Sequence, residues 1–325
     1  MKGIVALTGG TGFLGYHLVP ALVAAGYEVR LLKRKGSSHP LVQAYPPQVQ
    51  EVEADFANDQ LLTQVLKNVS AVIHAAGLVS YDRKDQPLMQ ETHVELTRRL
   101  LAVAKRAGVK RFVHVSSIVT IGHGIEPRHE KSKYNADDLQ LAYWTTKTEA
   151  EHLALEANAP GFEVLSVNPG SLLGRGEKNG QLLPFIKKLA SSERPFLPDG
   201  GSDFLDVADA AKGTVLALER GRPGERYILG SENLTYAAFH KRLRALYGKA
   251  SAPRLVPRWF LTFVTKVLGV FERLTGIDLP INAARLTRVN GVFMFHDISK
   301  ARRELGYEPS SIDQALRHML EEDRV

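Results

Sequence analysis

Tyr143 and Lys147 stand four residues apart in the stretch Tyr143-Trp144-Thr145-Thr146-Lys147. On a helix that spacing puts both side chains on one face. An ammonium beside a phenol favours the phenolate and lowers a phenol pKa from about 10. A phenol tuned toward neutrality can protonate a carbonyl or deprotonate an alcohol. The chain holds 10 tyrosines, and Tyr143 alone has lysine four positions on. Such a spacing arises readily by chance, so its meaning depends on what else the chain carries.

The chain opens with Thr8-Gly9-Gly10-Thr11-Gly12-Phe13-Leu14-Gly15. Ile4 to Thr8 is an apolar run with the length of a buried parallel strand. Residues 13 to 25 read as a helix, with a kink expected at Pro20. Gly9 and Gly12 permit a tight turn and close approach to a pyrophosphate. Gly15 lets the helix pack on the strand, and the helix N-terminus offers N–H donors and positive potential. With Thr11, Phe13 and Leu14, these glycines form the expected dinucleotide cradle. The next strand, Glu28 to Leu32, ends in Lys33-Arg34-Lys35. An acidic residue there would hold the ribose 2′-hydroxyl of NAD, whereas a basic one suits the 2′-phosphate of NADP. NADP(H) is therefore expected over NAD(H), with Lys33 and Arg34 as contacts; the plain alternative is a solvated basic turn. Val49 to Glu53 and Ala71 to Ala75 read as two further strands. Asp55-Phe56 and Ala75-Ala76-Gly77 follow them as further cofactor contacts, the small residues letting ribose and nicotinamide approach the backbone.

Together these pieces resemble the extended short-chain dehydrogenase/reductase family, over nearly the whole chain. TGGTGFLG is similar to its nucleotide loop, VEADF to its adenine-contacting segment and VIHAAG to its fourth-strand motif. FVHVSS resembles the strand that carries the catalytic serine, YWTTK the Tyr-Lys helix, and NPGSLLGRG the segment beside the nicotinamide. FLDVADAAKG and DISKARRELGYEP resemble its C-terminal landmarks. Within the family the likeness is to the dihydroflavonol-reductase-like and 3β-hydroxysteroid-dehydrogenase-like branch. Bacterial hopanoid-associated sugar epimerase-like proteins are also similar. The resemblance implies Ser117, Tyr143 and Lys147 as the catalytic set, and Ser116, Pro169, Gly170 and Ser171 as cofactor contacts together with Tyr143 and Lys147. Arg34 matches the family's 2′-phosphate arginine. Two positions depart from the pattern. His93 stands where the family often has asparagine, which puts that helix's usual hydrogen-bond relay in doubt, and Asn168 stands where an arginine is common.

At 325 residues the chain can bury a large core, and its 44% hydrophobic and 24% charged content are ordinary for a globular protein. It has no cysteine, which excludes disulfides, thiolate nucleophiles and cysteine metal sites. No metal-ligating histidine spacing occurs, so no metal is expected. Neither a signal-like opening nor an apolar run of spanning length is apparent, so a cytoplasmic location is expected. The formal charge is +7, and residues 241 to 325 hold 15 Lys and Arg against 9 Asp and Glu. No nucleic-acid motif accompanies this surplus. It reads as a solvated surface or as attraction to an anionic substrate or membrane.

Apolar runs alternate with helical patterns up to about residue 168, the signature of an α/β fold with a Rossmann-type doubly wound parallel sheet. The expected organisation is a nucleotide-binding domain over 1–168 and a smaller C-terminal substrate lobe over 169–325. Part of the second region, about 203–230, should return to the first core. Helices are expected over 86–107, 139–158 and 206–220. Residues 257–274 are apolar on most faces. They read as a core helix of the small lobe, as a roof over a greasy pocket, or as an amphipathic helix on a membrane. Trp259, Phe260, Phe263 and Phe271 are expected to cover the nicotinamide, with Leu78-Val79-Ser80-Tyr81 facing the same cleft. The combined expectation is an oxidoreductase that interconverts a carbonyl and a secondary alcohol on a mostly apolar small molecule. A nucleotide-sugar epimerase or dehydratase with tightly held cofactor, and a non-catalytic nucleotide sensor, are the rivals. A homodimer is left open.

Overall fold

The computed structural model describes residues 2–176, 182–277, 279 and 281–321. Its centre is a seven-stranded parallel sheet in the spatial order Arg226–Leu229, Glu163–Pro169, Arg111–Val115, Ala71–His74, Ile4–Thr8, Glu28–Lys33 and Val49–Glu53. The first strand explains the apolar runs. Val5 and Leu7 enter the core on one face while Ala6 enters the core on the other, because successive side chains alternate and both faces are covered. Helices Phe13–Ala24 and Val207–Arg220 pack together on the first face. Leu100, Val103 and Ala104 of helix Leu96–Arg106 fill the second.

From Ile4–Thr8 the chain winds outward to Glu28–Lys33 and Val49–Glu53, then crosses back to lay Ala71–His74 on the other side of the first strand. That reversal opens a crevice at the carboxyl ends of Ile4–Thr8 and Ala71–His74, where ligands of such sheets bind. The first helix continues through Pro20 to Ala24. The helix expected over 86–107 is interrupted: Gln86–Met89 passes through a π-helical turn, Gln90–Glu95, before Leu96–Arg106. The Tyr-Lys helix spans Ala142–Glu156, and Val207–Arg220 is capped by Asp206, whose Oδ1 accepts from the Ala208 N–H at 2.8 Å.

A second sheet holds Glu232–Thr235, Gly201–Asp206, Phe293–His296 and Gly124–Arg128, with Ser171–Leu173 paired to Gly201–Asp206. Helices Tyr236–Ala245 and Ile312–Glu321 pack on it around a stacked Phe204–Phe239 pair, ring centroids 4.5 Å apart. Residues 124–128, which sequence reasoning put with the nucleotide-binding region, thus supply an edge strand to this second sheet.

Two buried carboxyls tie these parts together. Glu151 is wholly buried. Its Oε1 accepts from Arg226 Nη1 at 2.9 Å and lies 3.0 Å from Thr120 Oγ1. Its Oε2 accepts from Ser166 Oγ at 3.1 Å and from Asn168 Nδ2. Asp203 is also buried, and its Oδ1 accepts from the Ser231 N–H at 2.8 Å. Burial pushes the Asp203 carboxyl up to about 7.

Removing the Glu151 carboxylate strands the Arg226 guanidinium, so Glu151→Ala should cost about 3–5 kcal/mol of folding stability. The urea unfolding midpoint measures it. Asp203 gives a pH signature. Its folded pKa lies above the unfolded one, so the native state binds more protons between about pH 4 and 7. Stability from this group is therefore lost as pH rises through that window, by up to about 1.4 kcal/mol per pH unit. Asp203→Asn keeps the acceptor for Ser231 and should flatten that slope in chemical denaturation run at several pH values.

Candidate active site

The glycine turn is built by contacts that exclude side chains. Gly9 has a φ of +73°, and a Cβ there would meet the Ala75–Ala76 backbone at 2.5 Å. A Cβ at Gly15 would strike the Gly9 carbonyl at 2.1 Å. The small residues Ala75 and Ala76 therefore serve close packing against the glycine loop. At Gly10, which the sequence did not single out, a Cβ would press on the buried Leu31 side chain at 2.1 Å. Gly12 is the N-cap of helix Phe13–Ala24, and no side chain caps its first turn. That end presents N–H donors and positive potential to an anion. The turn thus fits the pyrophosphate of a dinucleotide, which the backbone from Thr11 to Leu14 would hold.

The other expected cofactor contacts surround this turn. Lys33 is drawn across the sheet into an ion pair with Glu51. Arg34 next to it is exposed at the strand end, and its side chain has no ion pair among the described residues. Asp55 caps its own loop, accepting from the Ala57 N–H at 2.9 Å, and lines an open depression of about 590 Å³ with Asn58 and Arg99. Phe56 packs against the second core, and its carbonyl accepts from Arg99 at 2.9 Å. Gly77 lies beside His93, with a Cβ there 3.7 Å from the ring. Pro169 ends the strand beside Leu229. Gly170 lets the backbone pass Asp203, where a Cβ would come within 2.6 Å of the carbonyl, and Ser171 Oγ lies 2.6 Å from Ser202 Oγ. Ser116 is buried, its N–H donating to the Val167 carbonyl at 2.8 Å.

Ser117, Tyr143 and Lys147 come together at the carboxyl end of Arg111–Val115. Ser117 starts the turn Ile118–Thr120, its Oγ accepting from the Val119 N–H, and its hydroxyl is near enough to the Tyr143 phenol to bear on its acidity. Lys147 is buried, donates to the Val115 carbonyl at 2.8 Å, and is lowered by burial to about 8, with Glu151 acting the other way. The phenol departs from the sequence expectation. Burial pushes the Tyr143 pKa up, helped by Tyr81, while the Ser117 hydroxyl and the charge of Arg288 pull it down. The lysine has committed its ammonium to a carbonyl, and the cation that bears on the phenol is Arg288.

Arg288, His93 and Tyr236 escaped sequence reasoning as site residues. Arg288 sits 4.7 Å from the centroid of the Tyr81 ring, and that ring is 6.0 Å from Tyr143. Both Arg288 and Tyr81 act on the Tyr236 phenol. His93 was visible only as a departure from the family pattern. It stands in the π-helical turn with its ring edge-on to Tyr143 at 5.7 Å. The Leu78 N–H donates to His93 Nε2 at 3.0 Å, so Nδ1 carries the proton and donates to Thr146 Oγ1 at 2.8 Å. Burial lowers His93 to about 3, which keeps it neutral. His74 is a core residue, bonded to Thr8 at 2.7 Å and Thr97 at 3.0 Å.

The helix Arg258–Thr275 neither fills the core nor encloses this site. Trp259 is 71% exposed and Phe263 61%. Its packed side carries Gly269 and Glu272 against the helix Ala283–Thr287, with Glu272 Oε1 accepting from the Ala283 N–H at 3.0 Å. The aromatics point the other way because their spacing puts them on the opposite stripe. Among the described residues no helix is long and apolar enough to cross a membrane, and no acidic or histidine cluster could hold a metal.

Comparison with known proteins accords with this geometry. Residues 5–230 match the model of the NAD dependent epimerase/dehydratase family. A protein of Synechocystis sp., provisionally named a dihydroflavonol 4-reductase, is 33% identical over 321 residues, covering 95% of this chain and 91% of its own length. Sterol demethylase protein B of Methylococcus capsulatus is 28% identical over 319 residues, covering 95% of each. The crystal structure of gox2253 superposes with a TM-score of 0.85 at 28% identity, covering 99% of this chain and 98% of that one. The chain therefore belongs to the NAD-dependent epimerase/dehydratase family, and it is an NAD(P)-dependent enzyme of the dehydrogenase/reductase class acting on alcohol and carbonyl groups.

Proposed function

We propose that this enzyme uses NADP(H) to interconvert a secondary alcohol and a carbonyl on a mostly apolar small molecule. The observation that carries the reading is the convergence of Ser117 on the Tyr143 phenol, with Lys147 one helical turn behind and buried. The nicotinamide, when bound, supplies or accepts the hydride. In the reduction direction Tyr143 delivers its proton to the carbonyl oxygen, and Ser117 holds that oxygen as negative charge develops. A phenol pushed up by burial keeps its proton until that charge appears, which suits a donor. Lys147, which donates to the Val115 carbonyl, orients the nicotinamide ribose in this reading. The 2′-phosphate falls to Arg34, since Lys33 is engaged by Glu51. The sterol named in the Methylococcus relative supports an apolar substrate.

A second reading rests on Arg288. A cation this near the phenol suits a substrate with an anionic group, as a nucleotide-sugar epimerase or dehydratase would require. In that case the substrate is oxidised and re-reduced, or dehydrated, on a retained cofactor.

Absorbance of NADPH in the presence of hydrophobic ketones tests the main reading. Wild type should consume NADPH, and Tyr143→Phe should slow turnover by roughly a hundred- to ten-thousandfold while still binding cofactor. Binding of UDP-sugars with no turnover of any ketone would transfer the assignment to the epimerase. Arg34→Ala should weaken NADPH about ten- to a hundredfold and leave NADH nearly unchanged. Equal wild-type affinity for both cofactors, unaltered in the variant, would sink the NADP preference.

A further inference from the structure

The helix Arg258–Thr275 is 18 residues long and amphipathic in an unusual sense. Trp259, Phe263, Val267, Val270 and Leu274 recur at helical spacing, with Phe260 at the edge, and all are exposed. At 3.6 residues per turn they occupy roughly a third of the circumference. Leu274 is 80% exposed, more than its neighbours on the helix. A monomer rarely leaves so long an apolar stripe in water without a use for it.

Charge decides what covers the stripe. Residues 254–277 carry the exposed cations Arg254, Arg258, Lys266 and Arg273, of which Arg258 pairs with Asp199, and a single carboxylate, Glu272, which is buried. Lys266 and Arg273 stand two and four turns after Trp259, about 20° and 40° round the helix from it, along one border of the apolar face. A second copy of the chain docked about a two-fold axis would set this cationic border against itself. A bilayer with anionic headgroups accepts the apolar stripe into the acyl boundary and pairs with the cations. The charges at Lys266 and Arg273, and the modest length, make the helix lie in the interface and not cross it.

The helix is also wired to the site. Its Glu272 holds the N-terminus of Ala283–Thr287. Asn282 at that N-terminus donates to the Tyr81 carbonyl and to Asp82, each at 2.9 Å, and Arg288 at its C-terminus rests on the Tyr81 ring.

We infer that the exposed face of Arg258–Thr275 docks this enzyme on anionic lipid bilayers. This goes beyond the proposed reaction and does not depend on it. The test is flotation of the full-length protein with unilamellar vesicles, phosphatidylcholine alone against phosphatidylcholine with phosphatidylglycerol. Wild type should float with the anionic vesicles and weakly or not at all with neutral ones. Trp259 emission should shift to the blue on binding; the other tryptophan, Trp144, is already buried and gives a constant background. The double variant Trp259→Ser/Phe263→Ser should abolish flotation. The double variant Lys266→Gln/Arg273→Gln should weaken it about fivefold per cation, and more at low salt. All four positions are exposed, so circular dichroism and cofactor binding should match wild type. Wild type that fails to float with anionic vesicles would overturn the inference, as would flotation indifferent to both variants. Sedimentation as a dimer that the Trp259→Ser/Phe263→Ser change dissolves, without lipid binding, would assign the face to a second copy.

Discussion

A carboxylate with no access to water holds Ser117, Tyr143 and Lys147 in register. Glu151 lies two turns from Tyr143 and one from Lys147 on the same helix stripe. Its two oxygens engage Thr120 next to the Ser117 turn, Ser166 and Asn168 on the neighbouring strand, and Arg226 on the edge strand. Arg226 in turn donates to the Glu130 carbonyl at 2.6–2.8 Å. An ion buried in this way is tolerated only when its acceptor sites are filled, and the filling fixes positions. The helix carrying the phenol cannot slide along the sheet without breaking contacts to three other segments. Asn168, where the family often has an arginine, becomes intelligible here. Its amide reaches Glu151 and, at 3.2 Å, the Ser117 carbonyl, joining the serine turn to the same clamp.

On the other side of the phenol, order comes from neutral groups. His93 fills the place expected of an asparagine and bridges two segments: it accepts from the Leu78 backbone amide and donates to the Thr146 side-chain hydroxyl. The π-helical turn turns the ring toward Tyr143, and such turns gather at functional sites. Charge would spoil this bridge, because a protonated imidazole cannot accept from Leu78; burial keeps the ring neutral.

The nucleotide-binding part was legible because each signal in it has a local cause. A strand buried on both faces must be an unbroken apolar run, and Gly9 and Gly15 answer to clashes of 2.5 Å or less with backbone nearby in sequence or in the adjacent strand. The spacing of Tyr143 and Lys147 is likewise local. Glu151 was not legible. In Thr148-Glu149-Ala150-Glu151-His152 it reads as one more charge on a helix, and only the fold brings Arg226 to it. Arg288 was hidden for the same reason. The apolar period of residues 257–274 was plain, but a period says which residues share a stripe, not whether anything packs against it. The rest of the chain chose the side bearing Gly269 and Glu272. The π-helical turn had no sequence mark, since Gln90 to Glu95 differ little in propensity from the helix around them.

The two sheets exchange strands. Gly124–Arg128, from the first half of the chain, lies at the edge of the second sheet, while Arg226–Leu229, from the second half, closes the first. Consequently no single cut divides the gene into two self-sufficient cassettes. A crossover near residue 170 would pair each sheet with a foreign edge strand, and the Arg226–Glu151 contact would have to be rebuilt across the junction. Shuffling whole C-terminal regions between relatives is thereby discouraged. Point changes around Tyr81, Tyr236 and Arg288, by contrast, leave both sheets and the clamp untouched.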